Sequence, residues 1–189
     1  MPAFRKTGSR VSGSVRRFNM IEVKPMSPDQ WQLYKAVRCA ALAEAPYAFS
    51  STLEGALAHS DEDWARITHQ YASDPKGTTL FAFEDEIPCG MSACVMDGDE
   101  AEMLAVWVDP AYRRKGAGRA LLDFASEWSK SQGAEVLKVG VFDDNPGAVA
   151  FYRSAGFSDR GDTKPELSSE NRTALLLTMN LYPAARSEG

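Results

Sequence analysis

The chain has 189 residues, 44% of them hydrophobic and 10% aromatic, and a net charge of −5. That content suffices for one sizeable core, and no apolar stretch nears the ~20 residues of a membrane-spanning helix. The basic residues Arg5, Lys6, Arg10, Arg16 and Arg17 share a segment without acids, so residues 20–189 carry a net charge of −10. An acidic body argues against nucleic acid as a partner and mildly favours a cationic substrate.

Residues 1–19 are rich in Ser, Gly and Arg and lack an apolar period, which predicts a disordered basic extension ahead of one domain over residues 20–189. Their composition also fits a transit peptide. Gly8 and Gly13 oppose the helix such a signal needs, and Met20 reads as a fresh start, so a dispensable extension is the preferred reading. Ile21 to Val23 predicts a strand. Ser27-Pro28-Asp29-Gln30 then combines an N-cap Ser, Pro at the first helical position and Gln in capping-box register. Trp31, Tyr34, Val37 and Ala41 follow at helical spacing, and Pro46 ends that helix. Ser60-Asp-Glu-Asp63 starts another, ending near Tyr71.

Thr79 to Glu84, Cys89 to Met96 and Ala101 to Val108 read as an antiparallel meander, turning at Asp85-Glu-Ile-Pro88 and Asp97-Gly98-Asp99. A helix carrying Leu121, Phe124, Ala125 and Trp128 on one face stops at Gly133. Glu135 to Phe142 is nearly all apolar and therefore a central strand. Asn145 caps a short helix with Pro146 at its first position, and Phe157 to Gly161 and Thr173 to Leu181 are the last strands, joined by the polar segment 162–172. The order predicts a mixed α/β sheet covered by helices.

Cys39, Cys89 and Cys94 are scattered and have no His beside them, so they read as buried thiols of a reducing compartment and not as metal ligands. His59 and His69 have no partner and read as solvent-facing or core residues. Asp143-Asp144 is explained by a strand-end turn, which leaves no metal site.

Between strand and helix stands Trp107-Val-Asp-Pro-Ala-Tyr-Arg-Arg-Lys-Gly-Ala-Gly-Arg-Ala-Leu-Leu122. Gly116 and Gly118 have no Cβ, so backbone N–H groups from Arg114 to Arg119 can approach an anion at a helix N-terminus, where the peptide dipoles also favour negative charge. The ligand should carry phosphate. Neither the Walker A nor the Rossmann spacing is present.

Arg113-Arg-Lys-Gly116-Ala-Gly118 resembles the Arg/Gln-x-x-Gly-x-Gly signature of the GNAT acetyltransferase superfamily. About thirty residues on, Asn145-Pro-Gly-Ala148-Val-Ala-Phe151-Tyr152 with Gly156-Phe157 resembles that family's second motif. The likeness covers Leu80 to Leu181 and is looser from Met20 to Gly77. It implies the GNAT fold: six to seven strands, antiparallel in the first half, flanked by about four helices. It also implies a cytoplasmic, metal-free N-acetyltransferase, leaving a homodimer open. Acetyl-coenzyme A is then the cosubstrate, its diphosphate held by Arg113, Arg114, Lys115, Gly116, Ala117, Gly118 and Arg119, and its pantetheine by Asn145 and by the main chain of Val106 and Val108, where the resemblance implies a bulge that splays two strands apart.

The same resemblance makes Glu102 the candidate base and Tyr152 the candidate acid toward the leaving thiolate. Their bland alternatives are an exposed strand-start carboxylate and an aromatic packed beside Phe151. Asn145 fits both a helix cap and a pantetheine contact. Tyr47, Phe49 and Ser50 become candidate acceptor-side residues, or simply pack under their loop. The acceptor implied is a primary amine of a small molecule; a protein N-terminus or lysine is the alternative, and a non-catalytic acyl-coenzyme A sensor is the reading of another class.

Overall fold

The computed structural model describes residues 20–165 and 173–182; the basic extension and most of the predicted polar connector lie outside the described residues. Its strands are β1 (Ile21–Pro25), β2 (Gly77–Glu84), β3 (Ile87–Asp97), β4 (Glu100–Val108), β5 (Val136–Phe142), β6 (Ser158–Pro165) and β7 (Thr173–Asn180). They form one sheet in the order β1-β2-β3-β4-β5-β7-β6, antiparallel at every pair except β4–β5. The expected antiparallel first half and mixed second half are both present.

Helices α1 (Trp31–Glu44), α2 (Leu53–Leu57) and α3 (Asp61–Ala72) precede the meander, and α4 (Ala117–Ser131) and α5 (Pro146–Ser154) alternate with the later strands. The sheet buries a separate cluster on each face. Tyr34, Val37 and Trp64 of α1 and α3 pack with Phe81, Met91 and Trp107 on one side. Leu121 and Tyr152 of α4 and α5 pack with Leu80, Met103 and Leu137 on the other. Alternation of Leu80 and Ala82 against Phe81 along β2 supplies both faces, as a half-buried strand should.

Three local readings are corrected. The first helix begins at Trp31 rather than Pro28: the Ser27 hydroxyl donates to Asp29 (2.6 Å), the Ser27 N–H donates to Gln30 Oε1 (2.9 Å), and no side chain caps α1. These short local bonds satisfy the polar groups in a turn and compete with helix initiation. Helix α2, capped by the Thr52 side chain on the Gly55 N–H, was not anticipated. The turn after β2 is only two residues, Asp85 and Glu86, at φ 49° and 69°, so β3 already starts at Ile87. By contrast, Ser60 and Asp63 form the full reciprocal capping box of α3.

The feature that positions the site is a phase slip in β4. Ala101 and Met103 belong to the α4/α5 face, as alternation requires, but further along it is Val106 and Val108 that pack on that face while Ala105 and Trp107 pack on the other. One residue has been inserted: β3 pairs Met91 with Trp107 and Ala93 with Leu104, and Ala105 takes φ 51°. The slip also ends the pairing with β5, which runs only from Glu100↔Val136 to Met103↔Val139. Beyond Met103 and Val139 the two strands have no mutual register, and a crevice opens between them.

Candidate active site

That crevice measures about 1050 Å³ and is lined on both faces of the sheet. Leu104 to Val108 of β4 and Val139 to Phe142 of β5 form its walls. On the α4/α5 side it is closed by Gly116, Gly118, Asn145, Phe151 and Tyr152. On the other side it reaches Arg38, Ala45 and residues 47–50. A slot that passes through a split sheet gives two ligands separate entrances to one meeting point.

The phosphate-loop end is built from backbone. Asp109 Oδ1 accepts from the Ala111 N–H at 2.8 Å, and the loop returns through Arg114 at φ 61° to Gly116 at φ 99°, the N-cap of α4. A left-handed N-cap of this kind favours glycine. The N–H groups of Ala117, Gly118 and Arg119 lie in the first turn, ahead of any i−4 carbonyl, and so remain available to an anion.

The loop's cations have other duties. Arg113 donates through Nε to the Val108 carbonyl (2.9 Å) and through Nη2 to Glu44 Oε2 (2.6 Å), an oxygen that also accepts from the Trp107 indole (3.0 Å). Lys115 sits 4.8 Å from the Tyr112 ring centroid and 3.8 Å from the Glu84 carboxylate, and Arg119 pairs with Asp123 at 2.8 Å. Of the predicted coenzyme residues, Val106, Val108, Arg113, Arg114, Gly116, Gly118, Arg119 and Asn145 line the crevice. Lys115 and Ala117 do not: the former turns to Glu84, and the latter, the first residue of α4, is buried in the core.

Asn145 accepts from the Ala148 N–H at 3.1 Å, so its capping role is present. Its helix carries Tyr152, 4% exposed, whose ring meets Phe151 and Phe157 edge-on at 5.0 and 5.3 Å. Burial, with a smaller contribution from Cys94, pushes the phenol far above the usual tyrosine range. Glu102 lines the crevice from the side of α1 and stands in register with Lys138, a nearly buried lysine. Burial alone would lower the Lys138 ammonium. The hydrogen bond and charge of Asp97, 2.6 Å away, with the charges of Glu102 and Glu100, carry it above the usual lysine value instead.

At the mouth on the α1 side Tyr47 is exposed, Phe49 is half-buried, and the Arg38 guanidinium lies 4.6 Å from the Phe49 ring centroid. His59 and His69 are exposed and neither lines the crevice. Among the described residues no cluster of three His, Cys, Asp or Glu side chains could hold a metal, and no helix is long and apolar enough to cross a membrane. Sequence reading missed Glu44 and Arg38. Both sit in α1, far from the motifs in sequence, and only the packing of α1 against the end of β4 brings Glu44 to Arg113.

The crevice through the split α/β sheet thus has unpaired helix-start amides at one end and room for a second molecule at the other. The sequence model of the acetyltransferase (GNAT) family matches residues 41–157, and the chain belongs to that family. It is 32% identical over 110 residues to an uncharacterized N-acetyltransferase of Methanocaldococcus jannaschii, covering 54% of this chain and 49% of that one. It is 39% identical over 61 residues to the [ribosomal protein bS18]-alanine N-acetyltransferase of Escherichia coli K12, covering 32% of this chain and 41% of the relative. The chain thus spans less than half the length of these two curated relatives. Among solved structures, the PaiA N-acetyltransferase of Thermoplasma acidophilum, in complex with coenzyme A, shares the fold. Its TM-score is 0.63 at 20% identity, over 85% of this chain and 99% of that one.

Proposed function

We propose that this chain is an acetyl-coenzyme A-dependent N-acetyltransferase that acylates a primary amine of a small molecule by direct attack in a ternary complex, with residues 20–189 as one domain. The observation that carries the reading is the crevice crossing the sheet at the β4 bulge, with free first-turn amides at one mouth and polar and aromatic side chains at the other. The donor set fits a diphosphate: consecutive N–H groups, a left-handed glycine and no carboxylate among the residues closing that end.

An amine of pKa about 10.4 is mostly protonated near neutrality, and only its neutral form attacks. In this reading Glu102 accepts the amine proton, directly or through water. The new N–C bond forms as the C–S bond breaks, and the electron pair leaves on sulfur. Tyr152 keeps its proton throughout the range in which a thiol, near pKa 8.5, titrates. Its contribution is therefore a hydrogen bond to the departing thiolate rather than full proton transfer, a narrower role than general acid. A β4 amide from Val106 or Val108 would polarise the thioester carbonyl.

A second reading, acetylation of a protein N-terminus, draws support from the likeness to the bS18-alanine enzyme. The test is thiol release from acetyl-coenzyme A by the purified full chain against parallel panels of small amines and of peptides. Turnover confined to peptides would select the second reading, and coenzyme binding without turnover of either panel would leave a sensor and overturn both.

A further inference from the structure

The acceptor end of the crevice contains a cation that the packing leaves incompletely used. Arg38, on α1, lines that end together with Tyr47, Phe49 and Ser50. Its guanidinium stacks on the Phe49 ring at 4.6 Å, and Nη2 donates to the Ser51 hydroxyl at 3.1 Å. Nη1 is buried and has no hydrogen-bond partner among the described residues. A guanidinium offers five donors in a planar fork, and a buried donor left unmatched is destabilising. The Phe49 contact and the bond to Ser51 hold the guanidinium at this end of the crevice, where it can meet a planar anion. Glu44, on the same helix, is already shared by Arg113 and Trp107.

Resting on the acetyltransferase reading, we infer that the acceptor is an amine that also carries a carboxylate, an amino acid or a close analogue, whose carboxylate pairs with Arg38. The net negative charge of the domain attracts the ammonium end, Glu102 stands on the crevice wall to take its proton, and Arg38 holds the opposite end. Polyamines and simple alkylamines lack an anion to pair with the Arg38 guanidinium at this end of the crevice. Tyr47 and Phe49 line the same end and suit an apolar or aromatic substituent.

The test compares binding of N-acetyl amino acids with binding of the corresponding N-acetyl amides to full-length protein saturated with coenzyme A, by calorimetry, over a panel of aliphatic and aromatic side chains. For at least one side chain the carboxylate should bind about 10- to 100-fold more tightly than the amide, the range of a charge-assisted pair. Arg38→Met should abolish that preference, and Arg38→Lys, which retains charge and stem, should keep part of it; neither should change the affinity for coenzyme A. Failure of coenzyme A itself to bind would defeat the acetyltransferase reading. With coenzyme bound, equal affinities within every pair, a preference that survives Arg38→Met, or tighter binding of an acetylated polyamine would overturn the inference alone.

Discussion

Replacing Gly118 with Ala separates the fold from the diphosphate site. Gly118 lies in the first turn of α4, and a Cβ there would stand 3.7 Å from Phe151 Cζ and 3.8 Å from Val108 Cγ2, ordinary contact distances. The methyl group therefore fits, and removing a helical glycine should stabilise the protein by up to about 1 kcal/mol, raising Tm by roughly 1–4 °C for a chain of this size. The same methyl group stands on the crevice wall. If it displaces the diphosphate from one amide, the loss is about 1.5–3 kcal/mol, or roughly 10- to 150-fold in affinity for acetyl-coenzyme A. Gly116→Ala is the control: no atom lies within 4 Å of its Cβ, so φ 99° alone should cost about 1–2 kcal/mol and lower Tm by roughly 2–8 °C. Scanning and titration calorimetry read both quantities on each variant. Gly118→Ala with a raised Tm and unchanged coenzyme affinity would refute the assignment of the first-turn amides to the diphosphate.

Tyr152→Phe removes one hydroxyl from a buried ring and should lower kcat about 10- to 100-fold while shifting coenzyme affinity less than twofold; equal kcat would take Tyr152 out of the reaction. Glu44→Ala leaves the Trp107 indole and Arg113 Nη2 without their acceptor, so about 1–3 kcal/mol of stability should go. Denaturant midpoints measure this, and Glu44→Gln, which keeps an acceptor, should fall in between. Lys138, its folded pKa raised, contributes stability that is complete below its unfolded value near 10.4 and is lost as pH rises through the folded value. Glu100, lowered chiefly by the Arg160 hydrogen bond, contributes stability that is complete above its ordinary value and is lost as pH falls through the lowered one. Denaturant midpoints should therefore decline at both extremes, and Lys138→Met should remove the alkaline decline; an unaltered alkaline limb would exclude Lys138 as its source. Burial pushes the thiols of Cys89 and Cys94 up to about 11 and about 12, so native protein at pH 8 should resist alkylation at both, as peptide mapping can verify.

What the sequence made legible was mostly local. The helix start with its acidic first turn at Ser60, the Asn145 cap and the helix stop at Pro46 each concern residues within a few positions of one another, and each stands where the pattern predicted. The β4 bulge was implied by the family resemblance alone; the residues themselves could not show it, because Met103 to Val108 is an apolar run with no alternation in which a slip of phase could register. Helix α2, at five residues, is shorter than any period can declare. Glu44 and Arg38 escaped for another reason. Their roles depend on partners brought close only by the packing of α1, and Glu44 and Arg113 are 69 residues apart in sequence.

The cations of the loop invited the simplest sequence argument, that positive side chains meet a negative ligand. Their pairing in the fold changes it. Arg113 is engaged by Glu44 and the Val108 carbonyl, Lys115 by Glu84, and Arg119 by Asp123. The cation of each pair is solvent-exposed and such a pair is worth only about 0–1 kcal/mol, so an anion could draw on these side chains at little cost, but it is the pairs and not the ligand that set where they stand. Unpaired first-turn amides carry no such cost, since water is their only alternative partner. The Arg113 strut ties the start of the loop to the end of β4 and to α1, and it thereby fixes where those amides are. In the proposed site the motif's arginine would hold shape and its glycines would permit approach, with the first-turn amides and Arg114 on the crevice wall left to meet a diphosphate.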